Sequence, residues 1–367
     1  MSSPRTTSDP TKAILSESAL NGKYLCDYVA NVASGCAHGC EFCYVPATPS
    51  IRTRQDMLKA EVDVDDPQTE WGDYVLYRDS IPAELPRLLE GKQKWKNTRG
   101  GQGVVLLCSG TDPFQDPRAG DIAIQAIHAL VENGRDVRVL TRNPVLAANG
   151  RVDDPVIDLP SKAYHDVLSN AANTGHLTVG SSINSLNTEY LEAIEPGAPA
   201  PSHRLRGLQQ LSDADIPVYV SMSPTLPTAD ESDLRELMDE IAALDPTVIF
   251  TEVINPRGDN YQGMIDAAWK HGHDKLGGEL ARLRRNEIEW KEYALGHYKT
   301  IQRIATDNDL PIHIWPDSKL LSLVTPAQKA WLLAWFHRHP PEQFAGRPAP
   351  SFGRPVPPGS QTNLSTF

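Results

Sequence analysis

Short unbroken apolar runs, rich in Val, Ile and Leu, alternate along the chain with longer stretches whose apolar positions recur every three or four residues. The short runs fit strands buried on both faces, and the longer spacing fits helices packed on one side. "YVANVAS" (28–34) comes first. "GVVLLCSG" (103–110) leads into "DIAIQAIHALVENG", where Gly134 suits a helix stop, and "DVRVLTR" (136–142) precedes a helical segment near 155–172. "HLTVGSSI" (176–183) precedes "RLRGLQQLSDA", "IPVYVSMSP" (216–224) precedes "ESDLRELMDEIAAL", and "TVIFTEVIN" (247–255) precedes a long charged helical region. Six strand–helix units in a row predict a parallel sheet, because parallel strands need crossovers that helices normally supply. The strands end in Cys, Ser, Thr, Asn and Arg, so the expected architecture is an α/β partial (β/α)6 TIM-like barrel with its site at that rim. A doubly wound open sheet is the competitor, and it is disfavoured because no GxGxxG follows the first strand. "LPIHIWPD" (310–317) offers a seventh strand, and "PAQKAWLLAWFHRH" a closing helix burying Trp331, Leu332, Trp335 and Phe336.

The pattern fades at both ends. Residues 1–20 are polar and unpatterned, and residues 339–367 are rich in Pro and Gly, so both are expected to be flexible. Between them the expected barrel spans 21–260 and a C-terminal helical and strand extension spans 261–338. The opening residues lack an apolar leader core, and nowhere do about 18 apolar residues run together, so a cytoplasmic protein with no membrane segment is expected.

Charge narrows the choice of partners. A formal net charge of −12 opposes broad adhesion to nucleic acid, whose affinity comes mainly from Lys and Arg neutralising phosphates. Residues 270–303 do carry eight Lys/Arg against five acids, with Trp290, Tyr293 and Tyr298 interspersed and Trp269 just before them. Basic residues among aromatics can grip a strand. The plainer reading is an amphipathic helix with a solvated charged face and buried aromatics.

The chemistry concentrates in "GCAHGCEFCY" (35–44), which holds three of the five cysteines. An odd, clustered set is no disulfide framework; in a reducing compartment it points to metal or redox chemistry. Thiolates suit zinc and iron–sulfur clusters alike. A zinc site would need a fourth ligand, for which His38 and Cys26 are the candidates. A cubane held by Cys36, Cys40 and Cys43 alone would leave one iron open to a further ligand.

The CxxxCxxC spacing, with the aromatic Phe42 before the last cysteine and the loop placed after the first strand, resembles the radical S-adenosylmethionine superfamily. That resemblance implies a 4Fe-4S cluster on the three cysteines and S-adenosylmethionine on the open iron. It further implies reductive cleavage to methionine and a 5′-deoxyadenosyl radical that abstracts hydrogen from a substrate, with an electron donor such as flavodoxin or ferredoxin. In the same frame Ser109, Gly110, Thr111 and Asp112 of "CSGTDPF" stand where the cofactor's amino group binds. Arg142 of "LTRNP" could fork onto its carboxylate, and Ser182 and Asn184 of "GSSINSL" could bond its ribose. "SMSPTLP" (221–227) and "EVINPRG" (252–258) would line the adenine and substrate sides.

The phrases "GCAHGCEFCYVP", "SGTDPFQ", "LTRNP", "SSIN", "EAIEPGAPAPSHRLRGLQQLSDADIPVYVSMSPTLP" and "TEVINPRG" resemble the branch related to spore photoproduct lyase. That branch implies nucleic acid repair or modification, with a small molecule or peptide as the other substrate class. Glu252, a carboxylate ending an apolar run, is a candidate catalytic residue. Cys108 is a second, standing near where the branch places a hydrogen-donating cysteine; its alternative role is core packing.

Overall fold

The computed structural model describes residues 3–338 except 24, 93, 99–100 and 256–258. The expected tail at 339–367 and positions 256–258 of "EVINPRG" lie outside the described residues. Seven parallel strands form the central sheet in chain order: β1 (Tyr28–Ala30), β2 (Val105–Leu107), β3 (Val137–Thr141), β4 (Leu177–Ser182), β5 (Val218–Thr225), β6 (Ile249–Val253) and β7 (Ile312–Ile314). The candidate seventh strand therefore takes the far edge, beside β6, while Ser16–Glu17 pairs antiparallel with β1 at the near edge. Helices fill the crossovers. Pro117–Glu132 illustrates why: Asp116 caps it by accepting from the Ala119 N–H at 2.9 Å, Pro117 occupies its first turn, and Gly134 at φ 67° ends it.

One face of the sheet turns inward, and the register fixes what it carries. Leu106 pairs with Arg138, Leu140 with Gly180, Gly180 with Tyr219, and Ser221 with Phe250. Paired positions in parallel strands share a face, so these side chains form one layer. Gly180 is needed there, because a Cβ would lie 2.4 Å from the Tyr219 ring. The two ends of the sheet meet through side chains. Leu25, Val29, Leu106, Tyr219, Phe250 and Trp315 belong to a single buried cluster, Arg138 donates to the Leu25 carbonyl at 3.0 Å, and Lys23 reaches Glu252 at 3.2 Å.

Two expectations are corrected. The first run does not continue as one strand through 34: β1 ends at Ala30, and Ala33–Gly35 joins a separate three-stranded sheet with Tyr74–Tyr77 and Arg5–Ser8. The N-terminal residues are accordingly not unpatterned. Arg5–Ser8 pairs in parallel with Tyr74–Tyr77, and Asp9 anchors the segment, accepting from Ser34 Oγ at 2.7 Å and pairing with Arg54 at 2.5 Å. Polarity hid this strand, since its partners are backbone groups and its charge is neutralised by residues far along the chain.

Burial pushes the Asp9 carboxyl upward, but hydrogen bonds from Ser34, Thr11 and Arg54 outweigh that and hold it near 2. A depressed folded pKa contributes stability above the unfolded value near 4 that is lost as pH falls toward 2. The contribution at neutral pH is about 2 kcal/mol. Asp9→Asn is therefore expected to flatten the acid limb of stability between pH 4 and 2 in urea titrations, and an unchanged limb would contradict the anchoring role.

The C-terminal region adds Asn260–Lys270, Asp274–Arg285 and Glu287–Asp307 before β7. Trp290 and Tyr298 are buried, Trp269 is exposed, and Arg282 and Arg303 are paired with acids, which fits the amphipathic reading. In the last helix, Pro326–Arg338, Leu332, Trp335 and Phe336 are buried as expected while Trp331 is half-buried.

Candidate functional site

The C-terminal ends of the strands surround a cavity of about 380 Å³. Cys36, Cys40 and Cys43 line it together with Phe42, and so do Cys108, Ser109, Gly110, Thr111, Asp112, Arg142, Ser182 and Glu252. Asn184 does not line it. Its Nδ2 donates to the Pro224 carbonyl at 3.1 Å and its side chain bonds Glu195 behind the wall.

The cysteine loop is held at several points. Gly35 has φ 89°, and a Cβ there would stand 2.2 Å from the Tyr74 carbonyl oxygen, so no other residue fits. Gln115 accepts from the Ala37 N–H at 2.6 Å and donates to Thr111 Oγ1 at 2.8 Å, while Thr111 donates to the Gly35 carbonyl at 2.5 Å. The backbone of Gly197 passes so close that a Cβ would meet the Ala37 carbonyl oxygen at 2.3 Å. His38 Nδ1 bonds the Gly197 carbonyl at 3.0 Å, and Nε2 lies 3.3 Å from Asp112 Oδ2.

Asp112 ties the strand ends together. It accepts from Thr141 Oγ1 at 2.6 Å, the Arg142 N–H at 2.6 Å and the Phe114 N–H at 2.8 Å. Burial pushes its carboxyl up, but His38 and these donors win and lower it below the usual carboxylate range. Beside it, Asn31 Oδ1 takes the N–H groups of Ser109 and Gly110 at 2.8 and 2.9 Å. Those two N–H groups are thereby satisfied within the protein. Cys108 opens the loop in the left-handed region, at φ 69°, with its sulfur accepting from the Val32 N–H at 3.4 Å. A residue with a Cβ held in that conformation is strained, and strain of this kind concentrates at functional positions.

Arg142 lies 5.0 Å over the Phe42 ring, and its Nη1 donates to Glu195 Oε1 at 2.9 Å. The other Glu195 oxygen bonds Arg204, whose guanidinium also donates to the carbonyls of Ser182 at 3.1 Å and Pro199 at 2.7 Å. Sequence reasoning missed Asn31, Gln115, Glu195 and Arg204. The quoted stretch "EAIEPGAPAPSHRLRG" contains the last two, but nothing local indicates that they meet Arg142 and the end of β4. Glu252 is not a free carboxylate: Lys23 holds it, and Asn255 Nδ2 donates to it at 2.6 Å.

The donor set fits an iron–sulfur cluster better than zinc. The three thiols share the wall of a cavity with room for a polynuclear centre. Neither sequence candidate for a fourth zinc ligand serves: His38 is engaged by Gly197 and Asp112, and Cys26, though in a buried cluster several of whose members line the cavity, does not line it itself. Burial pushes the thiols of Cys40 and Cys43 up to about 12 and 11, so as thiolates they need cationic charge beside them. Bound metal would supply it.

A family model described as the radical SAM superfamily matches residues 30–241, more than half of the chain. The chain belongs to the radical SAM superfamily. Membership makes it a radical enzyme and implies an iron–sulfur cluster and S-adenosylmethionine. An uncharacterized protein of Acidianus two-tailed virus is 26% identical over 267 residues, 71% of this chain and 78% of the viral one. An uncharacterized protein of Mycobacterium tuberculosis is 25% identical over 235 residues, 63% of this chain and 59% of its own. In fold the chain is similar to a spore photoproduct lyase mutant solved with AdoMet and a dinucleoside spore photoproduct, with TM-score 0.54, 13% identity, and 84% and 80% of the two chains covered. Among the described residues no helix is long and apolar enough to cross a membrane.

Proposed function

We propose that this radical SAM enzyme carries a 4Fe-4S cluster on Cys36, Cys40 and Cys43 and uses S-adenosylmethionine to abstract hydrogen from a compact organic substrate within the barrel. The observation that carries the reading is the placement of three thiols, a paired arginine and the Ser109–Asp112 loop, with its first N–H groups spent on Asn31, around one cavity. When bound on Cys36, Cys40 and Cys43, a cluster would supply the single electron that reductive cleavage of S-adenosylmethionine requires.

The chain's own residues bind and orient. The carbonyls of the Ser109–Gly110 loop suit the cofactor's ammonium, because their N–H groups are spent on Asn31. Arg142, kept in place by Glu195 and the Phe42 ring, presents a cation to its carboxylate. Ser182 lines the cavity where ribose hydroxyls would lie, and Asn184 supports that wall from behind. Burial pushes the Cys108 thiol well above the ordinary range, so its sulfur keeps its hydrogen and can donate it to a product radical. Glu252, fixed by Lys23 and Asn255, orients substrate as a charged acceptor.

Likeness in fold to spore photoproduct lyase supports nucleic acid repair or modification as the substrate class. The net charge of −12 and the small cavity support a free small molecule, or a single ring lifted from a polymer. An electron donor of the flavodoxin or ferredoxin type and a cytoplasmic setting complete the reading. The test is anaerobic reduction of the reconstituted protein with S-adenosylmethionine: 5′-deoxyadenosine and methionine should appear in equal amounts, and a cluster-loaded protein releasing neither would refute the reading.

A further inference from the structure

The small sheet beside the barrel leads directly to the cysteine loop. Its middle strand, Tyr74–Tyr77, pairs with Ala33–Gly35, the residues that open the loop, with Gly35 opposite Val75. Just before that strand comes a turn at Glu70–Asp73, closed by the Asp73 N–H donating to the Glu70 carbonyl at 3.0 Å. The N-terminal strand pins this turn: the Arg5 N–H donates to the Asp73 carbonyl at 2.8 Å, and the Arg5 guanidinium pairs with Glu70 at 2.5 Å. The turn also lies against the cysteine loop, backbone on backbone. A Cβ on Gly72, which has φ 109°, would stand 2.9 Å from the Gly39 Cα. Only glycine at both positions lets the two segments approach this closely.

What the turn carries to the loop is Trp71. It lines the cavity with Cys43, and the two pack with Met57 on one buried cluster. The Trp71 ring meets Tyr74 edge-on at 5.8 Å and 80°, which fixes the indole plane. The indole N–H donates to the Cys43 sulfur, and the Val45 N–H donates to the same atom. Cys36 likewise takes the His38 N–H. Those two backbone donors stand two residues beyond the sulfur they serve and follow from the turns of the loop itself. Trp71 does not: a separate sheet brings it there. A ring without an N–H would pack equally well, so the donor has a role beyond packing.

A hydrogen bond to a ligating sulfur acts on a cluster in a definite direction. Reduction adds one electron, and the added negative charge is shared with the sulfurs. An N–H aimed at one of them therefore stabilises the reduced form more than the oxidised one, and the potential rises. Resting on the reading that Cys36, Cys40 and Cys43 hold a 4Fe-4S cluster, we infer that Trp71 is a positioning residue that raises the cluster's reduction potential through Cys43. It makes the cluster easier for an external electron donor to load.

The test compares wild-type protein with Trp71→Phe, both reconstituted and held without oxygen or S-adenosylmethionine. Titanium(III) citrate supplies the electron and becomes titanium(IV), and electron paramagnetic resonance counts the reduced cluster at a series of solution potentials. Phenylalanine keeps an aromatic ring against Tyr74 and removes the N–H. The midpoint should move to a more negative potential: at the wild-type midpoint, the ratio of reduced to oxidised cluster in the variant should fall about fivefold, the usual effect of one hydrogen bond. The sign separates this from loosened packing. Water admitted beside the cluster favours the more highly charged reduced form and moves the midpoint the other way.

A second measurement needs no variant. Wild-type protein labelled with heavy nitrogen only in its indole rings should show a coupling from that label to the reduced cluster in pulsed electron paramagnetic resonance, and Trp71→Phe should lose it. An unchanged or raised midpoint in Trp71→Phe overturns the inference and leaves the cluster assignment standing, and so does a wild-type cluster with no indole coupling. If Trp71→Phe holds no cluster, the wild-type coupling decides alone. Wild-type protein that builds no cluster refutes the reading beneath, and the inference falls with it.

Discussion

Cys40→Ala abolishes release of 5′-deoxyadenosine while leaving the barrel folded. Cys40 is one of three sulfurs on a single wall of the cavity, and no spare thiol can replace it: Cys26 lies off the cavity, and Cys108 is held in the neighbouring loop by the Val32 N–H. With two thiolates the cluster is lost, and the chemistry with it, so the expected drop is to background. The structural cost is small. Cys40 lies on a loop outside the seven strands, and trimming one sulfur from a cavity wall removes little packing; about 1 kcal/mol is expected. Product analysis after anaerobic reduction, set beside a thermal melt by circular dichroism, separates the two effects. A variant that folds and still cleaves the cofactor would show that the ligands have been misassigned.

Glu195→Ala produces the largest loss of stability. Glu195 is fully buried between two guanidiniums, with Arg204 itself only 1% exposed. Burial pushes the carboxyl up, but Arg142 and Arg204 outweigh it and hold it below the usual range. Removing it leaves two like charges facing each other out of water, and breaking a buried pair in this way costs about 3–5 kcal/mol. Arg142 also loses the partner that holds it over Phe42, so cofactor affinity falls with stability.

The pH dependence has a fixed sign. A depressed folded pKa gives stability that is present above the unfolded value near 4.3 and declines as pH falls through the folded one. The variant should lose that acid limb. Denaturant titrations at pH 7 and along a descending pH series check both statements, and a loss under about 1 kcal/mol at neutral pH would contradict the assignment.

The parts of this site that were legible in the sequence are those whose signal is local. Three cysteines in eight residues, with glycines to turn the loop, announce a metal site without any fold. The βα rhythm places Asp112, Arg142, Ser182 and Glu252 at strand ends, and the structure brings all four to one cavity. The supports were not legible, because each acts across a long separation. Asn31 reaches the Ser109 backbone 78 residues away, and Lys23 reaches Glu252 across 229. The partners of Arg142 and Glu252 were hidden for the same reason: a side chain's partner is set by the closing of the sheet. The strand at Arg5–Ser8 was hidden because alternation carries no signal when a short polar segment is held by backbone bonds and one buried aspartate.

The central claim is that three thiolates bind a cubane and leave one iron open. Iron and acid-labile sulfide, measured on protein reconstituted and purified without oxygen, test it most directly. About four of each per chain is the predicted result; a colourless protein holding one zinc and no sulfide would contradict it.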